Sequence, residues 1–267
     1  MVSRFPYCMK HRTSESLTRA YRFDVIASSV ACEKPAFPRS STFDESALAT
    51  LQSLRLPGGT QPARGFISQI SGQLPDEAVT VYTRLGAIER LLELSRHQWD
   101  GDAEYELVIV ARNAYQHRLL SLPAWEELSA GERDHCSWSV YECCRATALL
   151  YSTAVIFPIP AQSGWHLKRV ADLRVVLEPT SSTSVLEDHT ALLLWSLLVG
   201  GIASYRTSHR DFFERALRAA LVRARLFSWT AVRRLIGSFL WSDSACEHGA
   251  AVLWDSIGLD EQVTDNL

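Results

Sequence analysis

The sequence predicts an all-α fold, an irregular multi-helix bundle of packed antiparallel helices, and three observations predict it. From Asp76 onward apolar residues recur every three or four positions, which is the period of one helical face. Apart from an ambiguous run at Leu107 to Val110, no segment alternates apolar and polar residues as a half-buried strand does. The periodic stretches also stop at Pro158 and Pro160 and at Gly258, because proline cannot continue a helix and glycine tolerates a left-handed cap.

Residues 1–75 are rich in Ser, Thr, Pro and Gly, with turn clusters at Glu33 to Thr42 and Pro57 to Pro62. Such a composition buries little apolar surface, so the segment reads as a loosely ordered arm. Residues 1–42 are expected to be largely unstructured, and one short helix is expected near Asp44 to Leu54. The boundary falls near Leu74, Pro75 and Asp76.

The helical domain covers residues 76–258. Val81, Leu85, Ile88 and Leu92 lay one apolar stripe along its first helix. Leu107, Val110, Ala111 and Ala114 do the same in the second, and Asp102, Glu104 and Glu106 stand where a helix dipole favours negative charge. A third helix is expected from Arg133 to Phe157. Five more follow at Leu167 to Leu177, Leu186 to Ala203, Ser208 to Leu226, Trp229 to Leu240 and Asp243 to Ile257, before a short tail at 259–267. No internal repeat of fixed period occurs, which disfavours a solenoid.

A chain of 267 residues with 47% hydrophobic composition is long enough for one sizeable core. Its 27 basic and 30 acidic residues leave a formal net charge of -3, so it lacks the cationic field that drives non-specific phosphate binding. Ala146 to Gly164 and Thr190 to Tyr205 carry no formal charge. Prolines interrupt the first, and the second is shorter than the roughly 20 residues of a spanning helix. Both read as core helices, and no membrane association is expected. The cysteines Cys8, Cys32, Cys136, Cys143, Cys144 and Cys246 form no C-x-x-C pair, which fits reduced thiols in an intracellular compartment. Arg4, Lys10 and Arg12 precede no apolar h-region, so no secretory signal is read.

Catalytic signatures are missing. The sequence contains no nucleophile elbow, phosphate-binding loop, zinc-protease helix or dinucleotide fingerprint. Cys136, Cys143 and Cys144, with His135 adjacent, share one predicted helix. Thiols seven residues apart on a helix are separated by about 10 Å along the axis, too far for one tetrahedral metal. They read as small buried hydrophobes. Cys8 and His11 make a lone C-x-x-H with no second pair. His189 beside Asp188, or His209 with Asp211, supplies a base on paper, but no spacing brings a nucleophile to either. No enzyme activity, cofactor or metal is expected.

Between Arg206 and Arg234 stand eight arginines against Asp211 and Glu214. On a helix there, Arg215, Arg218 and Arg225 lie near one face, while Phe213, Leu217, Ala220 and Ala224 lie on another. The plain reading is a solvated face paired with acids elsewhere in the fold. The functional reading is a partner-docking face.

The segment from Leu194 and Trp195 through Gly200 and Gly201 leads to Arg210, Phe212 and Phe213. A Ser228–Trp229 helix start then runs to Phe239, Leu240 and Trp241, and a small-residue helix with Gly249 closes on Leu253 and Trp254. In this order, over residues 185–258, these pieces resemble the C-terminal half of the fungal-specific transcription factor regulatory domain. A weaker echo lies at 144–157. Physically, Gly200 and Gly201 allow close helix approach, and Trp195, Trp229, Trp241 and Trp254 make large core pieces. The resemblance implies a helical, transcription-regulatory protein of the nucleus, with the cytoplasm as alternative. Control of a pathway such as fungal secondary metabolism follows from the same likeness, and a small-ligand-sensing module, a truncated family member and an unrecognised biosynthetic enzyme are the other readings. Members of that family usually begin with a zinc cluster of six cysteines, and here the first hundred residues hold only Cys8 and Cys32. Autonomous sequence-specific DNA binding through such a cluster is therefore not expected. The expected partner is a protein, a DNA-binding transcription factor, and the effector is left open.

Overall fold

The computed structural model describes residues 22–31, 33–36, 70–98, 102–157, 164–178, 186, 188–237 and 239–258. Among them every regular element is helical, and no strand occurs. Helix α1 spans residues 22–31, α2 Asp76–Gln98, α3 Asp102–Ser121, α4 Ala130–His135 and α5 Trp138–Tyr151. They are followed by α6 Gly164–Leu177, α7 Thr190–Ala203, α8 Arg210–Ala224, α9 Trp229–Ile236 and α10 Asp243–Ile257.

The apolar stripes face one core. On α2, Val81, Leu85 and Ile88 are buried, and Leu92 packs against them at the edge. α7 is apolar all round, which marks a central helix rather than a surface one. It packs against α5, α6, α8, α9 and α10. No helix among the described residues is long and apolar enough to cross a membrane.

Local chemistry sets the helix ends. Ser129 and Glu132 form a capping box on α4, with the Ser129 N–H donating to Glu132 Oε2 at 2.9 Å and the Glu132 N–H to Ser129 Oγ at 3.3 Å. Ser228 Oγ accepts from the Ala231 N–H at 3.2 Å and starts α9. Gly258 ends α10 at φ 57, the left-handed cap that glycine makes at no Cβ cost. α8 ends on a left-handed residue too, but there it is Arg225, at φ 54.

Two expectations are corrected. The helix expected from Arg133 to Phe157 is two helices. The Ser129–Glu132 box starts α4 earlier, and Cys136 is extended at φ -107 and ψ 155, which breaks the helix before Trp138. α5 then widens into a π-turn at Ser152–Ile156. There the Thr153 hydroxyl contacts the Leu149 and Leu150 carbonyls, and Ser152 bonds to the buried Gln116. The second correction concerns the arm, since residues 22–31 within it are helical. Val25, Ser28 and Ser29 of α1 are buried, and Gln116 Nε2 donates to Ser29 Oγ at 3.0 Å. Its inward face carries two serines, while Phe23, Ile26 and Val30 stand on the exposed side. The helix expected near 44–54 and the tail at 259–267 lie outside the described residues.

Candidate functional site

Twelve consecutive residues without charge, Ala191 to Ile202, make the centre of the molecule, and the residues singled out by sequence converge on it. Trp195 is 2% exposed, and its Nε1 donates to the Leu240 carbonyl at 2.8 Å. Its ring lies 5.3 Å from Phe239 and 6.3 Å from Tyr151, centroid to centroid. Below it, α8 approaches so closely that a Cβ on Gly200 would overlap the Phe213 ring. A Cβ on Gly201 would stand 2.5 Å from Leu253 Cδ2, and one on Gly249 2.7 Å from Ile202 Cγ2. The three glycines thus set the spacing of α7, α8 and α10. Trp229 joins the far side, 6.0 Å from Trp241 and 5.7 Å from Trp254.

Arg210 closes the α7–α8 turn. One guanidinium nitrogen donates to the Gly201 carbonyl at 2.7 Å, near the end of α7 where carbonyls lack helical partners. Others reach Glu214 at 2.6 Å and Ser256 Oγ at 3.1 Å. Partial burial raises the Glu214 carboxyl, but Ser256 and Arg210 outweigh it and hold it below its ordinary value. A carboxylate of lowered pKa stabilises the fold above its unfolded value, and that contribution is lost as pH falls through the folded one. Amide exchange at this corner should therefore quicken below about pH 4, the ordinary carboxyl range. Glu214→Gln should remove that acid limb.

A polar tie not foreseen from sequence crosses the core. The Tyr151 hydroxyl donates to Glu89 Oε1 at 2.5 Å and accepts from the Ser242 N–H at 2.8 Å. Ser242 Oγ and Ser244 Oγ donate to Glu93 at 2.9 and 3.1 Å. Periodicity marks Tyr151 as core, but nothing in the local sequence names partners 62 and 91 positions away. Arg233 stacks over Trp241 at 5.5 Å and pairs with Asp243 and with Glu247, the latter at 3.2 Å.

The thiols belong to the core. Cys143 and Cys144 lie within α5 and Cys246 within α10, all buried, while Cys136 caps α4 at intermediate exposure. Burial pushes the Cys143 thiol up to about 11 and Cys246 up to about 12, and drives Cys144 well above its ordinary value. Thiols are nucleophiles only as thiolates. Iodoacetamide at pH 8 should leave these three unmodified in the native protein and label them after denaturation; native labelling of Cys143 would contradict this burial.

The predicted arginine face is exposed. Arg215, Arg218 and Arg225 all reach solvent, while Phe213, Leu217 and Ala220 are buried behind them. Arg225 sits at the left-handed cap rather than on the helix proper. Val222, which sequence reading did not single out, stands on the same outer face and is 49% exposed. Of the paper bases, His189 Nε2 hydrogen-bonds Gln73 Nε2 at 2.8 Å. It borders a half-open cavity of about 200 Å³ with Ile70, Thr190, Leu192, Leu235 and Phe239.

The profile of the fungal specific transcription factor domain matches residues 13–241. The chain belongs to the fungal-specific transcription factor domain family. No curated protein and no solved structure matches it. The family is not an enzyme family. Its matched span includes α1 and residues 13–75 of the stretch read as an arm, and it ends at Trp241, so α10 follows it. Within the family's span lie Trp195, Gly200, Gly201, Arg210, Phe213, Trp229, Phe239 and Trp241, which the structure gathers around α7. Gly249 and Trp254 lie beyond it and join the same cluster from α10.

Proposed function

We propose that this chain regulates transcription in the nucleus through protein contacts and has no catalytic role of its own. Membership of the fungal-specific transcription factor domain family across residues 13–241 carries this reading. Sequence specificity comes from a partner, a DNA-binding transcription factor, and the pathway controlled is one such as secondary metabolism. Reading bases requires side chains held against groove edges by a docked element. The helices packed around α7 bury apolar faces in one core, and the exposure of Arg215, Arg218 and Arg225 supports reading the outer face of α8 as the docking surface.

The purified chain should not distinguish a target promoter from scrambled DNA at near-physiological salt, yet should be recovered from nuclei with a DNA-binding factor. Reversing the charge of Arg215, Arg218 and Arg225 together should weaken that recovery with the helical content unchanged. Specific, competitor-resistant DNA binding by the isolated chain would contradict partner dependence.

A second reading, effector sensing, is favoured by the cavity beside His189. Its volume of about 200 Å³ falls below the roughly 300 Å³ at which ordinary ligand pockets begin, so it ranks behind the first.

A further inference from the structure

We propose that the outer face of α8 binds an acidic helix of a partner protein, with Arg215, Arg218 and Arg225 clamping its carboxylates around an apolar contact at Val222. This rests on the protein-contact reading above and gives it a partner chemistry.

Five of the eight arginines between 206 and 234 fall into two groups. Arg210 and Arg233 are turned to structural use, in ion pairs with Glu214 and with Asp243 and Glu247. Arg215, Arg218 and Arg225 are exposed and form no ion pair among the described residues. Arg215 Nε donates to its own helix, to the Asp211 carbonyl at 3.1 Å, which holds the guanidinium along the α8 surface. On a helix, Arg215 and Arg218 are neighbours at i,i+3, and Arg218 and Val222 at i,i+4. Arg225 follows within one further turn, its backbone fixed by the left-handed cap.

One feature favours a protein over nucleic acid here. Val222 stands half exposed on the face of the guanidinium groups, where it gains nothing from a phosphate backbone and does gain from an apolar side chain. The stretch from 206 to 234 holds eight arginines and no lysine, and the planar guanidinium fork binds carboxylates in pairs, as it does phosphates. Asp211 is exposed one turn before Arg215, so the partner's carboxylates must sit over the arginines and away from it. An acidic helix with one leucine ridge fits this face, because its carboxylates flank an apolar stripe as the arginines flank Val222.

The test uses the full chain and three fluorescein-labelled probes. One is a helical peptide with glutamates flanking a leucine ridge, the second the same peptide with its leucines changed to serine, and the third a random DNA duplex. Fluorescence anisotropy at near-physiological salt should show the leucine peptide binding most tightly. Arg215→Glu with Arg218→Glu should weaken it about tenfold or more, and Val222→Ser about fivefold, as loss of a half-buried valine contact predicts. Val222→Ser should leave the duplex and the serine peptide unaffected. If the double reversal alters the far-UV circular dichroism, Arg215→Gln with Arg218→Gln serves in its place.

Equal leucine-peptide affinity in wild type and the arginine variants would overturn the proposal. So would tighter binding of the duplex than of the leucine peptide. A rise in peptide affinity on neutralising Asp260, Glu261 and Asp265 would assign the face to this chain's own tail and overturn it as well. None of these results touches transcript control by the protein, which is measured separately, so failure here is distinguishable from failure of the functional reading.

Discussion

Trp195→Ala should destabilise the protein by about 3–5 kcal/mol, the range for removing a large buried aromatic side chain. The indole fills the space between Tyr151 and Phe239 and satisfies the Leu240 carbonyl, so truncation opens a cavity and leaves a buried acceptor without its donor. For a domain of this size the thermal midpoint should fall by roughly 6–20 °C, at about 2–4 °C per kcal/mol. Trp195→Phe keeps most of the ring and loses the donor, so it should cost about 1–2 kcal/mol. Denaturant melts of the two variants measure both quantities. A Trp195→Ala midpoint within error of wild type would show that α7 is not the centre of the core.

Gly200→Ala should destabilise by up to about 2 kcal/mol, although the same change in an open helix gains about 1 kcal/mol. The new methyl group would overlap the Phe213 ring, which is fully buried; overpacking of this kind costs about 1–3 kcal/mol. Gly201→Ala meets Leu253 Cδ2 at 2.5 Å, a shallower overlap than the 2.1 Å to Phe213 Cε1 that Gly200→Ala makes. The expected order is therefore Gly200→Ala worse than Gly201→Ala. Phe213→Leu should relieve the first in a double-mutant cycle, as coupling between contacting residues requires. A stabilised Gly200→Ala would mean that α7 and α8 stand farther apart.

Much of this was legible in the sequence because it rests on local rules. The α10 cap at Gly258, the buried stripe of α2 and the apolar girth of α7 all follow from periodicity and from what glycine and proline permit. The close approach at Gly200 was legible as a possibility, while its partner, Phe213, was fixed by tertiary packing. The break at Cys136 was missed although Ser129 and Glu132 announce a new helix start, because the apolar run beyond them reads through. α1 was missed for the opposite reason, since Ser28 and Ser29 face inward and make a buried face look polar. Arg225 at a left-handed cap runs against the usual preference for glycine, and only the structure places it there. The face of Arg215 and Arg218 came directly from the helical period, but Val222 gains meaning only once its exposure is known.

The central claim is control of transcription by a member of the fungal-specific transcription factor domain family acting through a partner. Rapid depletion of the protein followed by transcript and metabolite profiling tests it most directly. The account predicts that transcripts of a defined gene set change first and that their products follow. Loss of a single metabolic step with every transcript unchanged would contradict it and assign the chain to chemistry instead.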